Sequence, residues 1–293
     1  MNILITGANG MLGEKCFHIL SDKFSVITTD LGEKCLYSDD AAYTRLDITE
    51  EKSVIEFIRE LKPDAVVNCA AYTDVDGAEK SREIAWNVNV KGVENLVKAI
   101  EPIGAHLIHI STDYIFDGVN GPYSENDPPS PINYYGLTKY EGEKIVQVSN
   151  IPWTIVRTNV LFGNSKYQQA SFVSWVIRKV SNREVIYVVN DQYGNPTWAN
   201  ALAEAISAIL EKKALGLYHY GGKDYINRFS FALEIVAVFD LDPKFVKPTT
   251  TKALNQVARR PYRGGLAVEK IKSELGVRIY SIREALEAMK RGL

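Results

Sequence analysis

The start of the chain constrains the fold most, because a short apolar segment runs directly into three glycines spaced three residues apart. The apolar segment covers residues 2–6, and Gly7, Gly10 and Gly13 follow it before an amphipathic stretch. Apolar runs of this length beside glycine are typical of buried parallel strands. In a dinucleotide site, Gly7 would allow the tight turn, Gly10 the close approach of a pyrophosphate, and Gly13 close packing of the next helix. We therefore predict a dinucleotide site here, against the alternative of a glycine-rich turn without a ligand.

Strand and helix patterns alternate through the first half of the chain. Strand patterns cover residues 24–30, 65–70, 106–113 and 152–159, and helical patterns cover 51–62, a long stretch ending at about Ala99, and a segment from residue 133. Residues 31–46 are interpreted as a polar loop. Alternation at this pitch predicts βαβ units and an α/β fold built on a parallel sheet.

The composition excludes several classes of protein. The chain has 293 residues, of which 46% are hydrophobic and 24% are charged, as is ordinary for a globular protein. The formal net charge of −2 gives no reason to expect nucleic acid or an anionic membrane as partner. Three cysteines form no C-x-x-C motif, and no apolar run approaches the ~20 residues that span a bilayer. Without a basic leader or cleavage site at the start, we expect a cytoplasmic protein.

An acidic residue at the end of the second predicted strand bears on the choice of cofactor. Asp30 lies about 20 residues beyond the glycines, where a carboxylate can accept hydrogen bonds from the adenosine ribose. The same carboxylate would repel the 2′-phosphate of NADP, so Asp30 favours NAD. Lys34 lies close enough in sequence to meet a phosphate, and a solvated loop acid is the other interpretation of Asp30.

Hydroxyl groups and an acid close the strand at 106–113, where open α/β sheets place their ligands. Ser111 and Thr112 are candidate hydrogen-bond donors to a substrate oxygen. His106 and His109 alternate with apolar residues in this strand, so we interpret them as structural rather than as metal ligands.

The segment from residue 133 carries two tyrosine–lysine pairs with a spacing of four, Tyr135/Lys139 and Tyr140/Lys144. Residues four apart share a helix face, and an ammonium beside a phenol lowers the tyrosine pKa toward the range of a useful acid. Five helical residues rotate by roughly 140°, so only one pair can face a cofactor. We choose the first pair, and we expect the second to be a surface pair or helix packing.

Three further motifs narrow the family. Residues 68–79 read N-x-A-A-x-T-x-V-D-x-A-E, residues 191–197 read D-Q-x-G-x-P-T, and residues 258–261 read A-R-R-P. Together with Y-G-x-T-K at 135–139, they resemble the dTDP-4-dehydrorhamnose reductase family of the extended short-chain dehydrogenase/reductase superfamily. The resemblance extends from Gly7 to about Leu275. In the second motif Thr197 could also cap the helix that we expect from Ala199.

The resemblance implies a Rossmann-like, doubly wound parallel sheet in residues 1–160, the NAD(P)-binding domain. Residues 161–293 would mainly form a smaller C-terminal α/β substrate-binding lobe, discontinuous, with some segments returning to the first domain. The implied reaction is reduction of the 4-keto group of dTDP-4-dehydro-L-rhamnose by NAD(H) or NADP(H). The implied catalytic residues are Thr112, Tyr135 and Lys139.

The resemblance also implies two sets of binding residues. The cofactor would contact the glycine turn, the second strand and its neighbours, and the tyrosine helix, namely Gly7, Asn9, Gly10, Met11, Leu12, Gly13, Asp30, Asp47, Ile48, Cys69, Ala70, Ala71, Tyr72, Asn89, Ser111, Tyr135 and Lys139. The nucleotide sugar would contact Thr73, Val75, Asp76, Thr112, Asp113, Tyr114, Gln192 and Arg260.

Some properties stay open. Another nucleotide-sugar reductase or an epimerase is one alternative, and a non-catalytic subunit is a second, since the regulatory subunit of methionine adenosyltransferase resembles the same family. Some family members use Mg²⁺ at a subunit interface, and no ligands for it are identifiable here; a homodimer is an expectation only. The family usually continues A-R-R-P with Asn and Ser, whereas this chain has Tyr262 and Arg263.

Overall fold

The structure, a computed structural model, describes residues 1–39, 41–165 and 171–292. Its strands are β1 (Asn2–Thr6), β2 (Ser25–Asp30), β3 (Ala42–Arg45), β4 (Ala65–Asn68), β5 (His106–Thr112), β6 (Trp153–Thr158), β7 (Leu161–Phe162), β8 (Ile186–Val189), β9 (Tyr193–Gly194), β10 (Thr197–Trp198), β11 (Gly216–His219), β12 (Ile226–Asn227) and β13 (Val246–Thr249). Seven of them form one parallel sheet in the order β11-β6-β5-β4-β1-β2-β3. This order confirms the doubly wound Rossmann-like prediction.

The helices lie on both faces of this sheet and in the C-terminal half of the chain. They are α1 (Met11–Leu20), α2 (Glu51–Leu61), α3 (Val75–Lys80), α4 (Arg82–Trp86), α5 (Gly92–Ile100), α6 (Tyr134–Val148), α7 (Phe172–Ser181), α8 (Ala199–Lys212), α9 (Arg228–Val238), α10 (Thr251–Leu254), α11 (Glu269–Leu275) and α12 (Ile282–Arg291). Short 3₁₀ turns cover Asp113–Ile115 and Pro243–Phe245, and a π turn covers Asn87–Lys91.

Both faces of the sheet are apolar, because successive side chains of each strand point to opposite faces. In β1, Ile3 and Ile5 pack into a core with α1, α8 and α11. Leu4 packs into a second core with α2, α5 and the end of α6. Continuous apolar strands with helices on both sides are the expected result for a parallel sheet.

A third core lies in the C-terminal half. Phe162, Val173, Phe231 and Leu286, all fully buried, bring α7, α9 and α12 together with the β8–β13 pair. By contrast, α8, α11 and β11 belong to the large sheet and its first core. The domain boundary at residue 160 stays a prediction, because the C-terminal half contributes residues to both the first and the third core.

Two sequence interpretations were wrong at the level of elements. The polar loop predicted at 31–46 contains β3, whose residues are mostly exposed, so it lacks the apolar alternation that identifies a strand. The long helix ending at Ala99 is instead three helices, α3, α4 and α5, with the π turn between the last two. π turns frequently occur at functional sites, and this one carries Asn89.

Candidate active site

The glycine turn lies at the switch point of the sheet, where β1 is flanked by β2 and β4. Gly7 has a φ of +66°, and a Cβ there would lie 2.5 Å from the Ala70 backbone nitrogen. A Cβ on Gly13 would lie 2.4 Å from the Gly7 carbonyl oxygen. The tight turn and the close helix packing predicted for these two glycines are therefore present, and they bring the loop after β4 against the turn. Parallel sheets bind ligands in this crevice.

Asp30 and Asn9 hold the edge of this crevice together. The Asp30 carboxylate accepts hydrogen bonds from the backbone N–H groups of Asn9 at 2.9 Å and Leu31 at 2.7 Å. The Asn9 side chain donates to the Lys34 carbonyl at 3.1 Å and accepts from the Leu36 N–H at 3.0 Å. Both residues thus already have protein partners that order the loop after β2.

Some of the other predicted cofactor residues lie beside the crevice, and others are buried in the hydrophobic cores. Met11 is partly exposed at the start of α1, whereas Leu12 and Ile48 are 6% and 4% exposed and belong to the cores. Asp47 accepts from the N–H and hydroxyl of Thr49, ahead of α2. The partly exposed residues of the loop after β4 line up beside the glycine turn: Cys69, Ala70, Ala71 and Tyr72.

Asn89 connects this loop to α6. Its side-chain oxygen accepts from the Tyr72 N–H at 2.9 Å, and its amide nitrogen donates to the Tyr72 carbonyl at 3.1 Å and to the Thr138 hydroxyl at 3.0 Å. Both amide N–H donors are thereby used within the protein. The structure thus shows Asn89, predicted as a cofactor ligand, positioning the loop and the helix.

Helix α6 brings the predicted catalytic residues to the end of β5. The Asn133 side chain caps it by accepting from the Gly136 N–H at 2.8 Å. Thr112 lies near the Tyr135 phenol, whose pKa it lowers against the effect of burial, and the Tyr135 ring meets Tyr114 edge-on at a centroid distance of 5.9 Å. Lys139, one turn later and 2% exposed, donates to the Ile110 carbonyl at 2.8 Å. The structure therefore brings Thr112, Tyr135 and Lys139 together at one strand end.

The expected lowering of the Tyr135 pKa by Lys139 was wrong for this structure. Burial raises the pKa of Tyr135 above its ordinary value, while the neighbouring Thr112 acts in the opposite direction. Burial likewise lowers the pKa of Lys139 to about 8, against the nearby charges of Glu143 and Cys69. Loss of water around each group is the largest cause of both pKa shifts.

The second pair faces elsewhere. Tyr140 packs against the small core of Ile115 and Phe116. Exposed Lys144 lies 5.3 Å from the centre of the Tyr140 ring and pairs with Glu141 at 2.7 Å. A surface pair combined with helix packing is what the sequence predicted for these residues.

A buried hydroxyl near the strand end fits a bound ligand. Ser111 is 3% exposed, and its Oγ has no hydrogen-bond partner among residues 1–39, 41–165 and 171–292. Buried polar groups are normally paired, so this hydroxyl is suited to a ligand donor or acceptor. Together with the open glycine turn, it is compatible with a dinucleotide between the turn and α6.

A cavity opens beside this strand end, lined by Asp113, Tyr114, Gln192 and Arg228 among others. Burial raises the pKa of Asp113 to about 6, against the Gly265 N–H and the Arg228 charge. Gln192 donates to the Thr251 hydroxyl and to Gln256, at 2.9 and 3.0 Å. Three predicted substrate residues thus share this cavity.

Arg228 was missed by the sequence reasoning. It begins α9, and its charge lowers the pKa of the Tyr114 phenol against the effect of burial, which raises it. Among the described residues, no carboxylate forms a salt bridge with it. The sequence offered no signal, because a single arginine after a two-residue strand has no motif around it.

Arg260 and Asp76, both predicted substrate residues, form an ion pair. The Arg260 guanidinium lies 3.0 Å from the Asp76 carboxylate and donates to the Ala258 carbonyl at 2.9 Å. Asp76 also accepts from the Ala258 N–H at 2.9 Å, so α3 is tied to the A-R-R-P segment. Thr73 is exposed ahead of α3, and Val75 begins that helix partly buried.

The predicted helix cap at Thr197 was wrong. Thr197 lies in β10, and its hydroxyl bonds to the Thr158 hydroxyl at 2.9 Å and donates to the Tyr220 carbonyl at 3.4 Å. Residue Trp198 occupies the cap position of α8 without a side-chain hydrogen bond. Across the described ranges, no group of three or more His, Cys, Asp and Glu side chains could hold a metal ion.

Comparison with known proteins agrees with this geometry. The family described as "RmlD substrate binding domain" matches residues 1–292. A dTDP-4-dehydrorhamnose reductase of Aggregatibacter actinomycetemcomitans is 33% identical over 305 residues, covering 98% of each chain. The chain belongs to the dTDP-4-dehydrorhamnose reductase family.

Solved structures of this family have the same architecture. A dTDP-4-dehydrorhamnose reductase from Clostridium acetobutylicum superposes with a TM-score of 0.90 at 35% identity, covering 99% of both chains. One from Bacillus anthracis, in complex with NADP, has a TM-score of 0.90 at 32% identity and covers 100% of this chain and 99% of its own. The chain is thus an NAD(P)-dependent oxidoreductase of this family. No helix in the described part of the chain is both long and apolar enough to cross a membrane.

Proposed function

We propose that the protein reduces the 4-keto group of dTDP-4-dehydro-L-rhamnose to give dTDP-L-rhamnose. The observation that carries the proposal is the meeting of Thr112, Tyr135 and Lys139 at the carboxyl end of β5, beside the glycine turn. Family membership supports the same reaction, because relatives across nearly the whole chain carry this reductase name.

The cofactor would be held by the glycine turn and Asp30 on one side and by Ser111 and Lys139 on the other. When bound, NAD(P)H supplies the hydride, and that chemistry belongs to the nicotinamide. The protein contributes orientation and protons. Tyr135 gives its phenolic proton to the oxygen that becomes the new hydroxyl, and Thr112 holds that oxygen by a hydrogen bond.

The charge on Lys139 supports this proton transfer. A positive charge close to Tyr135 stabilises the phenolate that remains after the proton has left. Water is excluded from the pair by burial, which strengthens the interaction. Asn89 keeps the loop after β4 in register with α6, so the groups on the two sides of the crevice stay aligned.

The nucleotide sugar would occupy the cavity at the other side of Tyr114. Arg228 and Arg260 both lie close enough to Tyr114 for their charges to lower the pKa of its phenol. Guanidinium groups bind phosphate oxygens in a bidentate manner, which suits a diphosphate. Gln192 and Asp113 supply further polar contacts in the cavity.

The test is a panel of nucleotide ketosugars supplied with NADH or NADPH, with oxidation of the cofactor followed by absorbance. We expect the fastest turnover with dTDP-4-dehydro-L-rhamnose and stoichiometric loss of reduced cofactor. Turnover without net cofactor oxidation would instead indicate an epimerase, which regenerates its NAD. Cofactor binding without any turnover would favour the non-catalytic subunit.

A further inference from the structure

A row of polar side chains crosses three neighbouring strands beneath the site. Thr6, Asn68 and His109 occupy paired positions of β1, β4 and β5, so their side chains share one face of the sheet. All three are at most 1% exposed. The row ends at Lys139, whose Nζ lies 3.5 Å from His109 Nε2.

Hydrogen bonding along the row determines which ring nitrogen of His109 carries the proton. The Thr6 hydroxyl donates to Asn68 Oδ1 at 2.7 Å, which turns Asn68 Nδ2 toward His109 Nδ1 at 3.1 Å. An amide nitrogen only donates, so Nδ1 must accept. Burial and the Lys139 charge hold the pKa of His109 well below its usual range, so the ring is neutral. Its single proton therefore lies on Nε2, facing the lysine.

A ring N–H and an ammonium cannot hydrogen-bond, because both only donate. An uncharged amine has a lone pair and can accept from Nε2–H while still donating to the Ile110 carbonyl at 2.8 Å. We propose that Thr6, Asn68 and His109 are positioning residues that favour the uncharged amine of Lys139 and so set the upper pH limit of its charged form. The proposal rests on the proposed function insofar as the Lys139 charge serves catalysis.

The other groups that face Lys139 act in the opposite direction. Glu143, one turn further along α6, and Cys69, directly after β4, both favour the charged lysine, although burial outweighs them. The Glu143 carboxylate is itself paired with the Arg157 guanidinium at 2.7 Å, which limits its effect. In the proposal, the row would therefore act with burial and against Glu143 and Cys69.

The tautomer can be measured without any turnover. Nitrogen NMR of the full-length protein labelled in its four histidines distinguishes an imidazole with its proton on Nε2 from one with its proton on Nδ1. We expect the Nε2–H form for His109, assigned by its loss in His109→Gln. Asn68→Asp offers only acceptors to the ring and should switch it to the Nδ1–H form. The Nδ1–H form in the wild type, or no switch in Asn68→Asp, would overturn the proposal.

The pH dependence of kcat/KM then tests the effect on Lys139. Activity should fall as Lys139 loses its proton, and Asn68→Asp should move this alkaline limb upward by about one pH unit or more. Thr6→Val, which removes the hydroxyl that orients Asn68, should move it in the same direction by less. It also serves as the test if Asn68→Asp does not fold.

His106→Gln is the matched control, because His106 lies in the same strand but bonds to Thr154 at 2.8 Å instead. Its alkaline limb should match that of the wild type. An unmoved limb in both Asn68→Asp and Thr6→Val would refute the proposal. If the wild type turned over no ketosugar, the proposed function would fail. The NMR result would still test whether Thr6 and Asn68 set the tautomer of His109.

Discussion

Two tyrosine–lysine pairs with the same spacing lie on one helix in two different environments. On the inner face of α6, Tyr135 lies near the Thr112 hydroxyl, and Lys139 is 2% exposed. On the outer face, Tyr140 packs on apolar side chains and Lys144 reaches solvent. The comparison shows that spacing alone carries no chemistry here; burial and the neighbouring hydroxyl distinguish the two pairs.

Glycine makes the inner environment possible. A Cβ on Gly136 would lie 2.0 Å from the Tyr114 carbonyl oxygen, so α6 approaches the end of β5 as closely as backbone allows. Gly142 gives the same closeness to the Asn89 carbonyl, at 2.5 Å. The packing of two glycines thus fixes which face of the helix meets the crevice.

The largest expected effect separates the two lysines. Lys139→Met should lower kcat by at least about 10²-fold, because the proton transfer from Tyr135 loses its supporting charge. Lys144→Met should change kcat by less than about twofold, since exposed pairs contribute little. Steady-state kinetics with saturating NADPH would measure both. Comparable losses of kcat in the two variants would show that the inner and outer faces of α6 do not differ in their catalytic role.

The second effect concerns the approach of α6 to β5. Gly136→Ala should destabilise the protein by about 1–3 kcal/mol, because the added methyl group meets backbone that cannot move aside. Glu141→Ala, on the outer side of the helix, should stay within about 0.5 kcal/mol. Urea unfolding followed by circular dichroism provides the free energies of unfolding. An unchanged midpoint for Gly136→Ala would show that the close contact is not required.

A third, smaller effect concerns the substrate side of the crevice. Arg260→Lys should raise KM for the nucleotide sugar by about tenfold, since a bidentate phosphate contact is lost. Cofactor affinity should stay nearly unchanged. Exposed Arg259 provides the matched control through Arg259→Lys. A fall in cofactor affinity in Arg260→Lys, or a larger rise in KM in Arg259→Lys, would indicate that Arg260 does not bind the diphosphate.

The smallest effect concerns cofactor choice. We expect NADH to be at least as good as NADPH in the wild type, because the Asp30 carboxylate opposes a 2′-phosphate. Asp30→Ala should shift the ratio of kcat/KM several-fold toward NADPH, and should weaken both cofactors because the Asn9 anchor is lost. A strong preference for NADPH in the wild type that survives Asp30→Ala would contradict this role.

Local patterns predicted the parallel sheet and the glycine turn, because apolar runs and glycine spacing carry those signals within a few residues. They failed at β3, whose exposed edge has no apolar alternation, and at Thr197, which forms bonds with residues distant in sequence. The Tyr135 pKa also differed, because burial is a tertiary property that a tyrosine–lysine spacing does not contain. Arg228 gains its place in the cavity only through the folding of α9.

The most direct test of the central claim compares Tyr135→Phe with Tyr140→Phe. Each substitution removes one hydroxyl from the same helix, so differences in fold are small. We predict that Tyr135→Phe lowers kcat by about 10²–10⁴-fold while still binding NADPH, and that Tyr140→Phe stays close to the wild type. The reverse pattern, or equal small losses in both variants, would contradict the assignment of Tyr135 as the acid that protonates the substrate.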